Sequence, residues 1–326
     1  MKKIFLFFLT LSILYSDYAG GYAGSSFRYG TNAREISLSN SLVSNNNIGF
    51  NAFSNPAILA FNKEKYIGSS LFMLSNDRNI QAFTYSQDLP PSAAAAISFF
   101  RAGVSNIIGI NSDEYFTDEL GYSDGYIMIS FGIAFNKYFS LGINAKALLQ
   151  SFSTEDEKYT SNGIGLDLAG FLSFQKLSIG IKAESGKYNW NQDMDGMNIQ
   201  YEEIIPVRIL TGVSYSHSQV LLLLFQHELM NVERYQTHRL SFGMEYNVFK
   251  NDQFHLDAIY IPIFLRLGLK QDEWAQIDSS KPIKLNLSGG LGSQVMLMNK
   301  LLTNIDYGLL INEMGINNLI SISIEI

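Results

Sequence analysis

Two stretches of this 326-residue chain carry residue types at a spacing that could do chemistry. Gly121-Tyr122-Ser123-Asp124-Gly125 has the Gly-x-Ser-x-Gly spacing of a hydrolase nucleophile elbow, in which a strained strand-to-helix turn lifts the serine hydroxyl clear of a sheet. That chemistry needs a strand before the serine and a helix after it. Here a polar segment precedes the serine and an alternating run, Tyr126 to Phe135, follows, so the pattern is not read as catalytic. The second stretch copies a calcium-binding EF-hand loop: Asn191, Asp193, Asp195 and Glu202 stand at the ligand positions around Gly196, where a hard cation needs converging oxygens on a tight turn. Its first ligand is Asn in place of Asp, its eighth position is the polar Asn198, and no helix flanks it. The expectation is at most a structural calcium, with no other cofactor and no enzymatic activity. His217, His227, His238 and His255 show no metal-ligand spacing, and Glu155-Asp156-Glu157 reads as a solvated charge run.

The elements that would position these residues are strands. From Lys65 onward the pattern has period two, clearest in Phe139 to Gln150, where Phe139, Leu141, Ile143, Ala145, Ala147 and Leu149 share one face against Ser140, Gly142, Asn144 and Lys146. Such alternation marks a strand with one apolar and one polar face. It returns in Ile127 to Phe135, Leu177 to Lys182, Arg239 to Tyr246 and Ile320 to Ile326. The polar face repeatedly carries charge: Lys146, Asp167, Lys182, Arg208, Glu245, Arg266, Lys284 and Asp306 are the candidates for a wet or salt-bridged lumen. Short links at Asp88 to Ser92, Asn136 to Tyr138, Gln175 to Lys176, Ser216 to Gln219 and Phe249 to Gln253 alternate with long ones at Gly103 to Gly125, Ser151 to Asn162, Gly186 to Glu203 and Gln271 to Pro282. Short turns on one side and long loops on the other are the signature of an outer-membrane barrel, here of about fourteen strands. Gln81 breaks the phase of its strand, and Phe254 to Leu269 is longer than one strand needs. Tyr138, Phe139, Tyr215, Tyr246 and Tyr307 fit aromatic girdles.

Composition agrees. Charged residues are 16% and hydrophobic residues 47%, yet no apolar run is long enough for a mature membrane-spanning helix. Lys2-Lys3, the apolar run Ile4 to Leu14 and the small residues between Ser16 and Gly21 form a secretory signal peptide, placed at residues 1–21. The absence of cysteine excludes a lipoprotein anchor, disulfides and thiolate metal sites. A net charge of −7 without a basic stripe excludes a nucleic-acid partner. Residues 22–64 are small, polar and turn-prone and cannot build a core of their own, so they are expected inside the barrel formed by residues 65–326.

Several short motifs then carry a resemblance. Tyr22-Ala23-Gly24, Phe27, Gly30, Ala33-Arg34 and Asn55-Pro56-Ala57, followed by Gly165-Leu166-Asp167-Leu168, Ile205-Pro206-Val207-Arg208, Gly243-Met244-Glu245-Tyr246, Leu265-Arg266-Leu267-Gly268 and Ile305-Asp306-Tyr307-Gly308, resemble the PorV/PorQ family, itself related to the FadL-like fatty-acid channels. The chain departs from that pattern at Leu38-Ser39-Asn40-Ser41 and at Ile58, which marks a divergent member. The resemblance implies an all-β outer-membrane barrel with an N-terminal plug or hatch that includes Arg34, Asn55, Pro56 and Ala57. It implies a component of type IX-like protein secretion or cell-surface attachment, with outer-membrane lipid, a translocon and cargo proteins as partners. The alternative is a FadL-like channel for hydrophobic solutes such as long-chain fatty acids, in which Asn55-Pro56 belongs to a hatch that moves.

Overall fold

Period-two segments with one apolar face need a partner on each edge, and here every edge finds one. The computed structural model describes residues 22–110, 116–154, 158–194, 197–217, 220–232, 235–248, 262–271, 285–297, 301–312 and 315–326. Fourteen strands close into one barrel. They are β1 (Tyr66–Leu74), β2 (Arg78–Leu89), β3 (Ala93–Ile110), β4 (Phe116–Ala134), β5 (Phe139–Ser153), β6 (Lys158–Phe174) and β7 (Leu177–Met194). The circuit continues with β8 (Met197–His217), β9 (Leu221–Val232), β10 (Tyr235–Asn247), β11 (Ile263–Gln271), β12 (Leu285–Leu297), β13 (Leu301–Asn312) and β14 (Gly315–Glu325). Each strand pairs antiparallel with its sequence neighbours, and β14 returns to β1 from Tyr66↔Glu325 to Met73↔Asn318. Closure leaves no open edge for another chain to pair with.

Both ends of the barrel, Tyr66 and Glu325, lie at one rim, called here the lower rim. The wall is uneven above it. Strands β3 to β8 run for 15 to 21 residues, whereas the other eight run for 9 to 13. A tilted strand needs about 9–11 residues to cross a bilayer, so the long strands project past the upper membrane face. This corrects the expectation of long loops: much of Gly103 to Gly125, Ser151 to Asn162 and Gly186 to Glu203 is paired ladder. Above the lipid neither face of a strand need be apolar, so the alternation fades while the backbone pairing continues. Residues 272–284, which hold Lys284, and the expected turn Phe249 to Gln253 lie outside the described residues, as does the signal segment 1–21.

Outward positions are occupied by exposed Leu71, Ile97, Ile129, Ile143, Leu168, Ile181, Leu267, Leu291 and Ile320, among many others around the circumference. A continuous apolar belt of that extent has no counterpart on a water-facing surface and suits lipid contact around a closed barrel. Among the described residues no helix is long and apolar enough to cross a membrane; the strands do the crossing. Exposed Phe135, Tyr138, Phe174, Tyr215 and Tyr246 gather near the lower rim, with Tyr138 and Phe174 stacked at 6.1 Å. Tyr307, expected in a girdle, stands part-way up β13, its hydroxyl donating to Asn318. Gln81 keeps the phase of β2. Ile80, Ala82, Thr84 and Ser86 are buried inward while Gln81 is exposed on the outer wall, opposite Leu71 and Arg101.

Fourteen strands enclose more space than their own side chains can fill, and the N-terminal segment occupies it. Its turns at Ser25–Arg28 and Pro56–Phe61 and short helices at Ala33–Ser37 and Asn51–Ser54 are packed within the wall. Ala33, Ile36, Phe50, Phe53 and Leu59 join one buried apolar cluster with Phe72, Phe100, Tyr126, Met128 and Leu148 of the strands.

Candidate functional site

The site is the occupied lumen, and its lower part starts from local turn chemistry. Asn32 caps the helix Ala33–Ser37: its Oδ1 accepts from the Glu35 amide at 2.7 Å, while the Glu35 carboxylate accepts from the Thr31 amide at 2.9 Å and hydroxyl at 2.8 Å. Reciprocal capping of this kind fixes where the helix begins. Ser39 and Asn40 take left-handed backbone angles and turn the chain back. Asn55 ends one helix and starts the next turn, with Pro56 at the position that needs no amide donor. Its Oδ1 accepts from Ala57 N at 2.9 Å, and its Nδ2 donates to Val43 O at 2.7 Å and to Gly170 O at 3.3 Å. One buried amide therefore joins two plug turns to β6. The wall answers through Ser140, whose hydroxyl donates to Ala57 O at 2.7 Å.

Close approach of plug backbone to wall is possible because the wall has glycine sockets. Gly132 faces Gly142, Gly180 faces Gly212, Gly243 faces Gly268 and Gly290 faces Gly308 across adjacent strands. Each pair receives a successive piece of plug: Pro56–Ala57, Val43–Ser44, Leu38–Ser41 and Ala33–Ser37. At Gly142 a Cβ would collide with Ala57 N, and at Gly180 with Val43 O. Backbone atoms cannot yield to a methyl group as the tip of a flexible side chain can. Sequence reading noted inward glycines but missed the sockets, because opposition across strands appears only once the register is known.

The charged side chains form three buried networks. In the first, Glu228 accepts from Arg28 Nη2 at 2.8 Å and from Arg239, with Lys270 Nζ at 3.8 Å. In the second, Arg34 grips Glu245 with Nε at 2.8 Å and Nη2 at 2.9 Å, and Arg266 joins Glu245 to Asp306 with two contacts of 2.6 Å. The third runs from Lys146 to Asp167 at 2.8 Å, on to Lys182 at 3.5 Å, then to Glu184 at 2.6 Å and Arg208. Lys182 also donates to Phe53 O at 2.5 Å. The structure thus brings together Lys146, Asp167, Lys182 and Arg208, and separately Arg34, Glu245, Arg266 and Asp306. The sequence reading missed Arg28, Glu184, Glu228, Arg239 and Lys270; inward phase on their strands was the available signal for the last four.

Higher in the lumen, the first residues of the plug lie against an aromatic wall. Phe27 meets Phe100 edge-on at 5.8 Å and Tyr126 at 4.9 Å, and Phe100 stacks on Tyr126 at 5.2 Å. Asp124 accepts from Ser26 Oγ at 2.7 Å and from the Tyr188 hydroxyl. The Gly121–Gly125 motif runs straight through β4, with no strand-to-helix turn to raise Ser123. Among the described residues the lumen keeps a cavity of about 30 Å³ beside Tyr22, Phe27, Leu148 and Ile205, one of about 40 Å³ between the arm and the charged networks, and one of about 190 Å³ among Arg34, Asn47, Glu245, Arg266 and Asp306. The first two have room for a few waters at most.

The expected calcium loop is a hairpin ladder. Asn191 pairs with Gln200 and Asp193 with Asn198 on β7 and β8, Glu202 accepts from exposed Lys187 at 2.8 Å, and Asp195 lies outside the described residues. Among the described residues no three acidic or histidine ligands cluster. On the outer wall His227 Nε2 lies 3.0 Å from His238 Nδ1, a cross-strand pair that linear spacing did not reveal; His217 is near the Tyr215 hydroxyl, and His255 is outside the described residues.

No protein-family model matches the sequence, and no curated protein does. The fold is shared with solved barrels. The chain is similar to the CymD monoaromatic hydrocarbon channel (TM-score 0.63, 11% identity, covering 94% of this chain and 98% of that one). It is similar to the toluene transporter TodX of Pseudomonas putida (0.59, 10%, 91% and 98%). A Pseudomonas aeruginosa FadL homologue gives 0.60 at 11% identity, over 90% and 98%. At such identities the likeness establishes the fold, a closed fourteen-strand antiparallel β-barrel.

Proposed function

We propose that the protein is a non-enzymatic outer-membrane conduit for hydrophobic small molecules that carry an anionic group, such as long-chain carboxylates. The observation that carries this reading is the split character of the lumen. Phe27 and Tyr126, packed in one apolar cluster with Phe100 and Leu148, line one side of a small cavity whose other side carries Arg28, Arg208 and Lys270 together with the carboxylates they pair with, Glu184 and Glu228. An apolar wall facing cations whose carboxylate partners a solute anion can replace fits an amphiphile. The known solute channels with the same fold support the class of function.

Conduction requires movement, because cavities of about 30, 40 and 190 Å³ fall short of the roughly 300 Å³ at which pockets for organic solutes begin. The segment 22–31 is the moving part: Ser25 is exposed, Tyr22, Ser26, Phe27 and Tyr29 are only half-buried, and most of residues 32–60 is fully buried. The test uses the absence of native cysteine. Ser39 and Ser288 hydroxyls lie 2.9 Å apart, so the pair Ser39→Cys and Ser288→Cys can staple the lower plug to β12. Uptake of a fluorescent fatty acid by vesicles containing the stapled barrel should match the reduced control. Uptake by neither form would end the conduit reading.

The second reading is a PorV/PorQ-type secretion or surface-attachment component, working with a translocon and cargo proteins. The glycine sockets and the Arg34–Glu245 grip favour it, since they suit a barrel closed permanently. A deletion strain with an altered surface proteome and normal solute uptake would select it.

A further inference from the structure

The Gly121–Gly125 motif left without a catalytic role shapes the outer wall. Along β4 the outward residues are Ile133, Phe131, Ile129 and Ile127 from the lower rim upward, and then Gly125 and Ser123. Beside Gly125 stand Arg101 on β3 and Leu149 on β5, and beside Ser123 stands Ser151. Glycine and serine among bulkier neighbours leave a trough of about 340 Å³, with Phe99 and Leu149 in its walls. It exceeds the lumen cavities, the largest of which is about 190 Å³ among those described, and it opens on the lipid-facing side at the height where the apolar belt ends.

Arg101 gives the trough its chemistry. Its side chain is exposed and has no hydrogen-bond or ion-pair partner among the described residues. The guanidinium lies over Gly103, its nitrogens 3.4 Å from where a Cβ would stand there, so it rises away from the apolar belt as a snorkelling side chain does. Gln81 is the exposed residue across from it on β2. The carboxylate of Asp124, in the adjoining strand, points inward and is occupied by Ser26 and Tyr188. A cation without a counter-ion, two hydroxyls joined at 3.1 Å and apolar walls make a surface for a molecule with an anionic head and hydrocarbon tail. A planar guanidinium can hold a phosphate through two parallel hydrogen bonds.

The geometry points to a docking site for one phosphorylated lipid of the upper leaflet, its phosphate on Arg101 and an acyl chain lying in the trough over Gly125. This site is on the outer wall and does not depend on what the lumen conducts. The probe is bis-phosphorylated lipid A, with its phosphate-free form as control, added to the full-length barrel in detergent and read by native mass spectrometry. The barrel should retain one phosphorylated lipid, at least tenfold more than the phosphate-free form. Arg101→Gln should lose most of that preference, and Ser151→Phe, which fills the trough and leaves Arg101 in place, should lower retention severalfold. Cold-detergent gel mobility checks that both variants remain folded; neither side chain belongs to the buried lumen. Retention unchanged in Arg101→Gln, equal retention of the phosphate-free lipid, or displacement by excess inorganic phosphate would each overturn the assignment.

Discussion

The plug has two parts that are held in different ways. The body, residues 32–61, is gripped by backbone: four glycine pairs receive its chain, Asn55 joins its turns, and Arg34 is held in two contacts by Glu245. The arm, residues 22–31, sits in no glycine socket pair and is held mainly through side chains: Phe27 on aromatic rings, Ser26 on Asp124 and Arg28 on Glu228 through Nε and Nη2, with Ser70 Oγ donating to Thr31 O and Asn40 Nδ2 to Arg28 O. Backbone seated in a glycine socket has no alternative rotamer to adopt, so it is either in place or the barrel does not close. A side-chain contact can be exchanged for a solute of similar chemistry. Stability therefore belongs to the body and responsiveness to the arm.

The largest effect should come from filling a socket. Gly180→Val puts a branched side chain where Val43 O now lies, and because backbone must shift the cost should exceed the about 1–3 kcal/mol of ordinary overpacking. The expected outcome is loss of the folded, heat-modifiable band on cold-detergent gels. A normally folded Gly180→Val protein would show that the body is not seated as described. Next is Glu245→Gln, which leaves Arg34 and Arg266, the latter 3% exposed, without their shared carboxylate. Removing one partner of a buried ion pair costs about 3–5 kcal/mol, seen as a lowered midpoint of thermal unfolding. The arm should behave otherwise. Phe27→Ala removes a half-buried ring from the Phe100–Tyr126 stack and should cost about 1–2 kcal/mol, less than a fully buried ring, while raising the rate of solute entry into vesicles. Unfolding as severe as for Glu245→Gln would erase the distinction between the two parts.

How much of this was legible in the sequence follows from what alternation can say. Period two placed Lys146, Lys182 and Arg208 on the polar face of their strands, and the structure is the closed all-β barrel of fourteen strands that the pattern implied. It could not say that Lys182 spans Asp167 and Glu184, because pairing depends on register. Nor could it show Gly180 opposite Gly212, residues 32 apart in sequence. The runs between Gly103 and Gly125 and between Gly186 and Glu203 looked like loops since their apolar residues, such as Val104, Ile107 and Ile108, fall out of strict alternation, with bulges in the β3 ladder between them. The calcium spacing at Asn191 and Glu202 was a property of the linear order alone; folded as a hairpin, those positions stand on different rungs.

The smallest change tests the boundary between the two parts. Asp124 sits above the arm, accepting from Ser26 Oγ at 2.7 Å and from the Tyr188 hydroxyl, and is 1% exposed. Asp124→Asn keeps the shape and one acceptor oxygen but replaces the other with a donor, which cannot accept from both hydroxyls in their present positions. The net loss for an exchanged hydrogen bond is about 1 kcal/mol, too little to unfold a barrel closed by fourteen ladders. That loss falls on the tie between arm and wall. Amide hydrogen exchange should accelerate severalfold across residues 22–31 and stay unchanged across 32–61, since no body contact runs through Asp124. Acceleration spreading equally into the body would mean that the arm and the body open as one unit, and the plug would then have a single mode of attachment.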